Sequence, residues 1–164
     1  FAHGDLVRFH VLDTRQYRSD QACGDEVLNF GPACRDAADP TRTMLGADQE
    51  QWLDETLASA TGTWTVLGQQ TVMTDLRLPN GGILSHDQWD GYAPARDRLL
   101  ARATDADRIV VLTGDIHLAA VGTLPGVGVE FVTTSISSEN VLVDLVDAPA
   151  LVGLFGTVVD AILA

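Results

Sequence analysis

The sequence RIVVLTGDIH at residues 108–117 decides the expected fold of this 164-residue chain. Its first half, RIVVL, is a nearly continuous apolar run, which is typical of a strand buried on both faces. Because similar strand patterns alternate with helical patterns elsewhere, we expect an α/β sheet with some antiparallel members. The other predicted elements are the strands Leu6–Leu12, Trp64–Leu67 and Thr71–Leu76, the hairpin Leu118–Leu124 with Val129–Thr134, and the helices Asp48–Ala58 and Pro94–Ala103.

The second half of that stretch, Gly114-Asp115-Ile116-His117, is the strongest candidate for a functional site. Ligands gather at the carboxyl ends of strands in α/β sheets. If the chain stays extended there, Asp115 and His117 point to one face, about 6.6 Å apart along the strand. Their oxygen and nitrogen atoms can then converge on one cation or one dinuclear centre. The alternative is an Asp–His hydrogen bond that ties down a loop.

Two further segments carry candidate site residues. Asp13 and Arg15 follow the first predicted strand, and a guanidinium there can clamp a phosphate or hold a metal-ligating carboxylate. The alternative is a structural Asp–Arg pair. Asp90 and Tyr92 lie in a loop rich in acids and aromatic residues, which either lines a pocket or caps the core.

The composition limits the chemistry that this chain can perform. Acids outnumber bases 23 to 10, so the net charge is −13 and no basic surface for nucleic acid is expected. An acidic protein that handles phosphate needs cations in its site. All the basic residues are arginine, which excludes lysine-dependent catalysis, and the motifs of serine hydrolases, P-loop enzymes and dinucleotide-binding proteins are absent.

The two cysteines and the apolar C-terminal stretch allow two further predictions. Cys23 and Cys34 fit a local disulfide formed in an oxidising compartment, or else a pair of free buried thiols. Acids and a proline interrupt the stretch 141–164, so no uncharged run in it is long enough to span a membrane. We expect a helix from about Pro149 that is buried or covered by a partner.

Taken together, the ordered motifs resemble the second half of the alkaline phosphatase D (PhoD) family. They run from Leu6 to Ser138 as DTRQYRSDQ, TMLGADQEQWL, WTVLGQQ, DQWDGYAPARDRLL, VVLTGDIH and VEFVTTSISS. The resemblance implies an α/β fold of the metallophosphoesterase type, an αββα sandwich with mixed sheets, of which this chain is the C-terminal half. It also implies hydrolysis of small phosphate monoesters and, in some members, diesters.

The resemblance also implies site residues and cofactors. The GDIH motif corresponds to a metal-binding motif of the family, which makes Asp115 and His117 the expected ligands of Fe³⁺ and Ca²⁺, with other divalent metals possible. Arg15, Asp13, Asp90 and Tyr92 are expected to support the ligands or line the pocket. Family members are typically exported, which implies an extracellular, periplasmic or cell-wall location.

This sequence departs from the family pattern in one important respect. The metal ligands of the family's first half have no counterpart here, so residues 1–164 are expected to form a single partial domain, truncated at both ends. In the complete enzyme, a metal-bound hydroxide would attack phosphorus, and the isolated fragment would be inactive. The alternative is a catalytically inactive or partner-binding remnant. An esterase that uses Asp115 and His117 without metal has no candidate nucleophile.

Overall fold

The computed structural model describes residues 1–25, 34–59, 62–76, 82–103 and 108–138. Short 3₁₀ turns occur at Arg35–Ala38 and Trp89–Tyr92. The strands and helices of these residues are β1 (Ala2–His3), β2 (Val7–Val11), α1 (Ala47–Ala58), β3 (Trp64–Gly68), α2 (Ala93–Ala103), β4 (Ile109–Thr113), β5 (Ala120–Leu124) and β6 (Gly128–Val132).

The six strands form one mixed sheet in the order β1-β2-β3-β4-β6-β5. The four central strands β2, β3, β4 and β6 are parallel to one another, and the edge strands β1 and β5 pair antiparallel with β2 and β6. This arrangement confirms the predicted α/β fold with antiparallel members, both predicted helices and the predicted hairpin. Because the central strands are parallel, the chain leaves β2, β3, β4 and β6 at the same edge of the sheet.

The hydrophobic core lies between the two helices and one face of the sheet. Leu53 of α1 and Leu99 of α2 are buried in the same cluster as Leu67 of β3 and Val111 of β4. In both helices the buried apolar residues recur at helical spacing, Leu53 and Leu57 in α1 and Ala95, Leu99 and Ala103 in α2, as the amphipathic sequence pattern predicts.

The opposite face of the sheet is apolar and exposed within the described residues. Leu112 of β4 is 42% exposed, and its neighbour Phe131 on β6 is also 42% exposed. The prediction that Arg108–Leu112 is buried on both faces is therefore wrong for these residues, because both helices pack against the other face. Further along this surface, Phe9 and Val11 of β2 are 40% and 62% exposed.

The segment Thr71–Leu76 is not a strand, contrary to the prediction. Its backbone N–H groups donate to side chains instead of to a neighbouring strand. The carboxylate of Glu130 accepts from Met73 at 2.9 and 3.2 Å and from Thr74 at 2.7 Å. Glu130 is fully buried on β6 and also accepts the hydroxyl of Thr113 at 2.6 Å. Its carboxylate thus replaces the ladder that a strand would need.

The disulfide between Cys23 and Cys34 is present, with a Cα–Cα distance of 5.6 Å. This observation confirms the predicted disulfide and excludes the pair of free thiols. Residues 26–33 between them lie outside the described residues, as does the helix predicted from about Pro149. Among the helices of the described ranges, none is long and apolar enough to cross a membrane.

We expect Glu130→Gln to lower the free energy of unfolding by about 1–3 kcal/mol, the usual penalty for a buried polar group without a partner. Whichever way the amide is turned, its NH₂ group faces the N–H of Met73 or of Thr74. Urea denaturation measures the loss. Glu55→Gln on the exposed face of α1 is the control and should change stability by less than about 0.5 kcal/mol. An equal effect of the two substitutions would contradict the assigned role of Glu130.

Candidate active site at the carboxyl ends of the strands

The chain turns sharply where it leaves β4. The N–H of Ile116 donates to the carbonyl of Gly114 at 3.0 Å, and Asp115 between them has a φ of 74°. This combination is a γ-turn with positive φ at its centre, a rare and strained conformation for a residue other than glycine. His117 follows with a φ of 53°. The extended backbone on which the sequence argument relied is therefore absent, and Asp115 and His117 belong to a strained turn.

A chain of four alternating charges ends at Asp115. Arg15 bonds to Asp115 at 2.7 Å and to Asp87 at 2.7 Å. Arg18 bonds to the other oxygen of Asp87, also at 2.7 Å, and donates to the carbonyl of that residue at 3.1 Å. The residues come from the segment after β2, the loop before Trp89 and the turn after β4, so the network joins three separate parts of the chain.

Asp13 shapes the turn that presents Arg15. Its carboxylate accepts the backbone N–H groups of Arg15 at 2.8 Å and Gln16 at 2.9 Å. These backbone hydrogen bonds hold the pKa of Asp13 below its ordinary value. The side chain of Gln49 in turn brackets the backbone of Asp13, with bonds of 2.8 Å to its N–H and to its carbonyl. Asp13 therefore supports Arg15 through the backbone.

The two central members of the charge chain are strongly coupled. Burial alone would raise the pKa of Asp87, but hydrogen bonds from Arg15 and Arg18 outweigh it and bring the pKa below the ordinary value. For Arg15, burial opposes the charged form, yet the bonds to Asp87 and the charge of Asp115 raise its pKa. Both groups are ionised at neutral pH, and the two positive charges balance the two negative ones.

A second donor holds the other oxygen of Asp115. The side-chain amide of Gln88 donates to Oδ2 of Asp115 at 2.7 Å, whereas Arg15 donates to Oδ1. Asp87 and Gln88 belong to the loop that the sequence predicted to line a pocket, supply supporting hydrogen bonds or cap the core, but neither was singled out, and Arg18 was not predicted. The available signal was weak: two arginines three residues apart after a strand, and a glutamine beside the buried Trp89.

Among the described residues, Asp90 makes no bond to this network, whereas the ring of Tyr92 lies against it, with the guanidinium of Arg18 5.9 Å from the ring centroid. Asp90 is buried and paired with Arg96, and it accepts the N–H of Leu76 at 2.9 Å. Burial raises its pKa, and Arg96 partly offsets that effect. The hydroxyl of the buried Tyr92 donates to the carbonyl of Ser19 at 2.7 Å. Within the described part of the chain, no hydrogen bond links either side chain to Asp115 or His117.

The charge chain borders an open cleft of about 730 Å³. Its wall carries both arginines together with one acidic residue of the disulfide-bonded loop, Asp25. The charged residues lining it are Arg15, Arg18, Asp20, Asp25 and Asp87. The cleft is thus polar and large enough for a small charged molecule.

The ligand types fit a hard or borderline cation, but the set is incomplete. Asp115 offers a carboxylate that is 30% exposed, and His117 offers an imidazole from the same turn. Considering only residues 1–25, 34–59, 62–76, 82–103 and 108–138, no group of three or more His, Cys, Asp or Glu side chains could hold a metal ion. The described residues therefore supply at most part of a metal site.

Comparisons with known proteins agree on one family. Residues 1–151 match the family described as PhoD-like phosphatase. The chain is 40% identical over 151 residues to alkaline phosphatase D of Bacillus subtilis (strain 168), covering 84% of this chain and 25% of that protein. It is similar to a solved structure of PhoD with a TM-score of 0.77 and 40% identity, covering 84% of this chain and 28% of that chain. This chain thus spans about a quarter of the length of the curated relative.

We expect Asp87→Asn to destabilise the protein at neutral pH by roughly 1–3 kcal/mol, since one arginine then faces an amide NH₂ group. Because the pKa of Asp87 is lowered in the folded state, its contribution is complete above the ordinary value of about 3.9. It disappears as the pH falls from there through the lowered pKa.

Thermal unfolding of both proteins between pH 7 and pH 3 tests this dependence. The difference in midpoint should be constant down to about pH 5 and should narrow below about pH 4. The exposed Asp97→Asn on α2 controls for the change in net charge. A difference that persists unchanged at pH 3 would show that Asp87 does not act as an ionised partner of the arginines.

Proposed function

The chain belongs to the PhoD-like phosphatase family, and from this premise we propose that it forms one side of the metal site of a phosphoric ester hydrolase. Asp115 and His117 would hold the metal. The observation that carries the proposal is the strained turn after β4, which places a carboxylate and an imidazole at the edge where the parallel strands end.

The residues around Asp115 support this role. Arg15 and Gln88 hold its two oxygens, while 30% of the side chain stays accessible. Arg15 is fixed in turn by Asp87 and Arg18, so the carboxylate is oriented by groups that are themselves anchored. The cations, when bound, would activate water for attack on phosphorus and neutralise the charge of the phosphate oxygens.

The remaining ligands would come from another part of a longer polypeptide. This chain covers a quarter of alkaline phosphatase D, and the described residues contain only part of a ligand set. We therefore propose that residues 1–164 are a partial domain equivalent to a C-terminal half, and that the isolated chain is inactive. By family resemblance the metals are Fe³⁺ and Ca²⁺, and the oxygen and nitrogen ligands are compatible with such cations.

The substrate would be a small phosphate mono- or diester that enters the open cleft beside Arg15 and Arg18. With a net charge of −13, the protein offers little attraction to a long polyanion, so we do not expect it to bind nucleic acid. The disulfide supports function in an oxidising compartment, such as an extracellular, periplasmic or cell-wall location.

One observation favours a second candidate function, a partner-binding remnant without activity. The sheet face opposite the helices exposes a continuous apolar surface, which is typical of a surface that another layer or protein covers. Its large residues are 40–67% exposed and comprise Phe9, Val11, Trp64, Leu112, Val121 and Phe131. The enzyme and the remnant differ in whether the natural protein that contains this chain binds metal and turns over phosphate esters.

We expect Asp115→Ala and His117→Ala in that natural protein to reduce bound metal and to lower turnover of p-nitrophenyl phosphate at least 100-fold. The estimate is conservative, since even the partners of metal ligands change affinity or activity by about 10–100-fold. Elemental analysis and a colorimetric assay measure both effects. Asp97→Ala and His3→Ala, which remove the same residue types at exposed positions, should leave both within about twofold of the wild type, as surface substitutions away from sites usually do.

Full metal content and activity in the double variant Asp115→Ala/His117→Ala would exclude the proposed ligands. The wild-type protein could instead hold metal below stoichiometry and hydrolyse neither p-nitrophenyl phosphate nor bis-p-nitrophenyl phosphate. That result would support the partner-binding remnant.

A further inference from the structure

We propose that Gln88 is the positioning residue that sets the orientation of Asp115. The inference rests on the proposed function in one respect: Asp115 is taken to be the residue that meets the cation. Gln88 itself touches neither substrate nor metal in this account and acts only through Asp115.

The side chain of Gln88 forms a bridge from the protein interior to the site. Gln88 is 4% exposed, and its Oε1 atom accepts the N–H of the buried Val72 at 2.6 Å. At the other end of the amide, Nε2 donates to Oδ2 of Asp115 at 2.7 Å. The backbone of Trp89 donates to the carbonyl of Val72 at 3.2 Å, so the loop that carries Gln88 is anchored at the same point.

The chemistry of these partners allows only one orientation of the amide. A backbone N–H can only donate, so Val72 requires the oxygen of Gln88 on its side. The NH₂ group, which can only donate, must then face Asp115, and Asp115 must accept. Gln88 therefore presents its NH₂ group to Oδ2 of Asp115, and this group is a hydrogen-bond donor that suits a carboxylate.

Arg15 alone would not fix the carboxylate. Arg15 reaches Oδ1 from a side chain that is 34% exposed, and a single donor leaves the carboxylate free to rotate about its bond to Cβ. With Gln88 on Oδ2, each oxygen has its own donor at 2.7 Å, and the plane of the carboxylate is defined. The partly exposed side of the carboxylate then faces outward in one orientation.

The first experiment compares cation binding by variants of the longer protein that supplies the remaining ligands, because the described residues of this chain hold only part of a ligand set. Mn²⁺ is titrated into the wild type, Gln88→Met, Gln69→Met and Asp115→Ala, and free Mn²⁺ is measured by electron paramagnetic resonance. Gln69→Met is the matched control, because Gln69 is also a buried amide that accepts a donor of this loop, the indole N–H of Trp89 at 2.8 Å, without touching Asp115. Asp115→Ala identifies the binding that depends on Asp115.

We expect Gln88→Met to weaken the Asp115-dependent binding about 10–100-fold, the range typical of residues that orient a ligand. Gln69→Met should stay within about twofold of the wild type. If Gln88→Met binds as the wild type does while Asp115→Ala does not, the positioning role is overturned and the metal role of Asp115 stands. If Asp115→Ala binds as the wild type does, the proposed function fails at this residue, and a second measurement decides the role of Gln88.

That second measurement needs no metal and no substitution of Gln88. In ¹⁵N-labelled protein, one side-chain amide proton of Gln88 should resonate downfield of its partner because it is bonded to a carboxylate. Asp115→Ala should shift that proton upfield, because the carboxylate acceptor is lost, and Asp97→Ala should leave it unchanged. An amide signal of Gln88 that is the same in the wild type and in Asp115→Ala would overturn the proposal, even if Gln88→Met fails to fold.

Discussion

Where the strands end, side-chain oxygens accept the backbone N–H groups that would otherwise pair with a neighbouring strand. The candidate site depends on these hydrogen bonds. After β3 the chain does not continue into another strand, because Glu130 and Gln88 accept its N–H groups. The carboxylate of Glu130 also holds Thr113, the last residue of β4. This hydrogen bond anchors the end of β4. The strained turn that carries Asp115 and His117 follows directly after it. The same hydrogen bonds thus shape both the edge of the core and the site.

The charged side chains at this edge of the sheet balance one another, although the protein is strongly acidic overall. Arg18, Asp87, Arg15 and Asp115 alternate in sign, so the network is locally neutral although the chain carries a net charge of −13. The bonds from Arg15 and Gln88 orient the carboxylate of Asp115 within a network that carries no excess positive charge. Within the described residues, the exposed apolar face of the sheet lies opposite the helices.

Local patterns predicted most of the elements but not the contacts that build the site. Apolar runs and helical spacing were sufficient for β2, β3, β4, the β5–β6 hairpin and both helices, and the two cysteines predicted their own bond. The segment Thr71–Leu76 has the composition of a strand, but the acceptor that prevents pairing lies 57 residues from Met73 in sequence. Arg15 and Asp115 are 100 residues apart, and Gln88 carries no charge that would single it out within the motif DQWDGYAPARDRLL. The turn at Asp115 was missed because positive φ in a residue other than glycine has no reliable sequence signal.

The central claim is that Asp115 and His117 together contact one cation. Anomalous X-ray diffraction from crystals of the natural protein grown with Mn²⁺, recorded on both sides of the manganese absorption edge, tests it most directly. We expect a manganese peak within bonding distance of an Asp115 carboxylate oxygen and a His117 ring nitrogen, with Gln88 and Arg15 still bonded to that carboxylate. A peak bound entirely by other residues, with Asp115 and His117 facing apart, would contradict it.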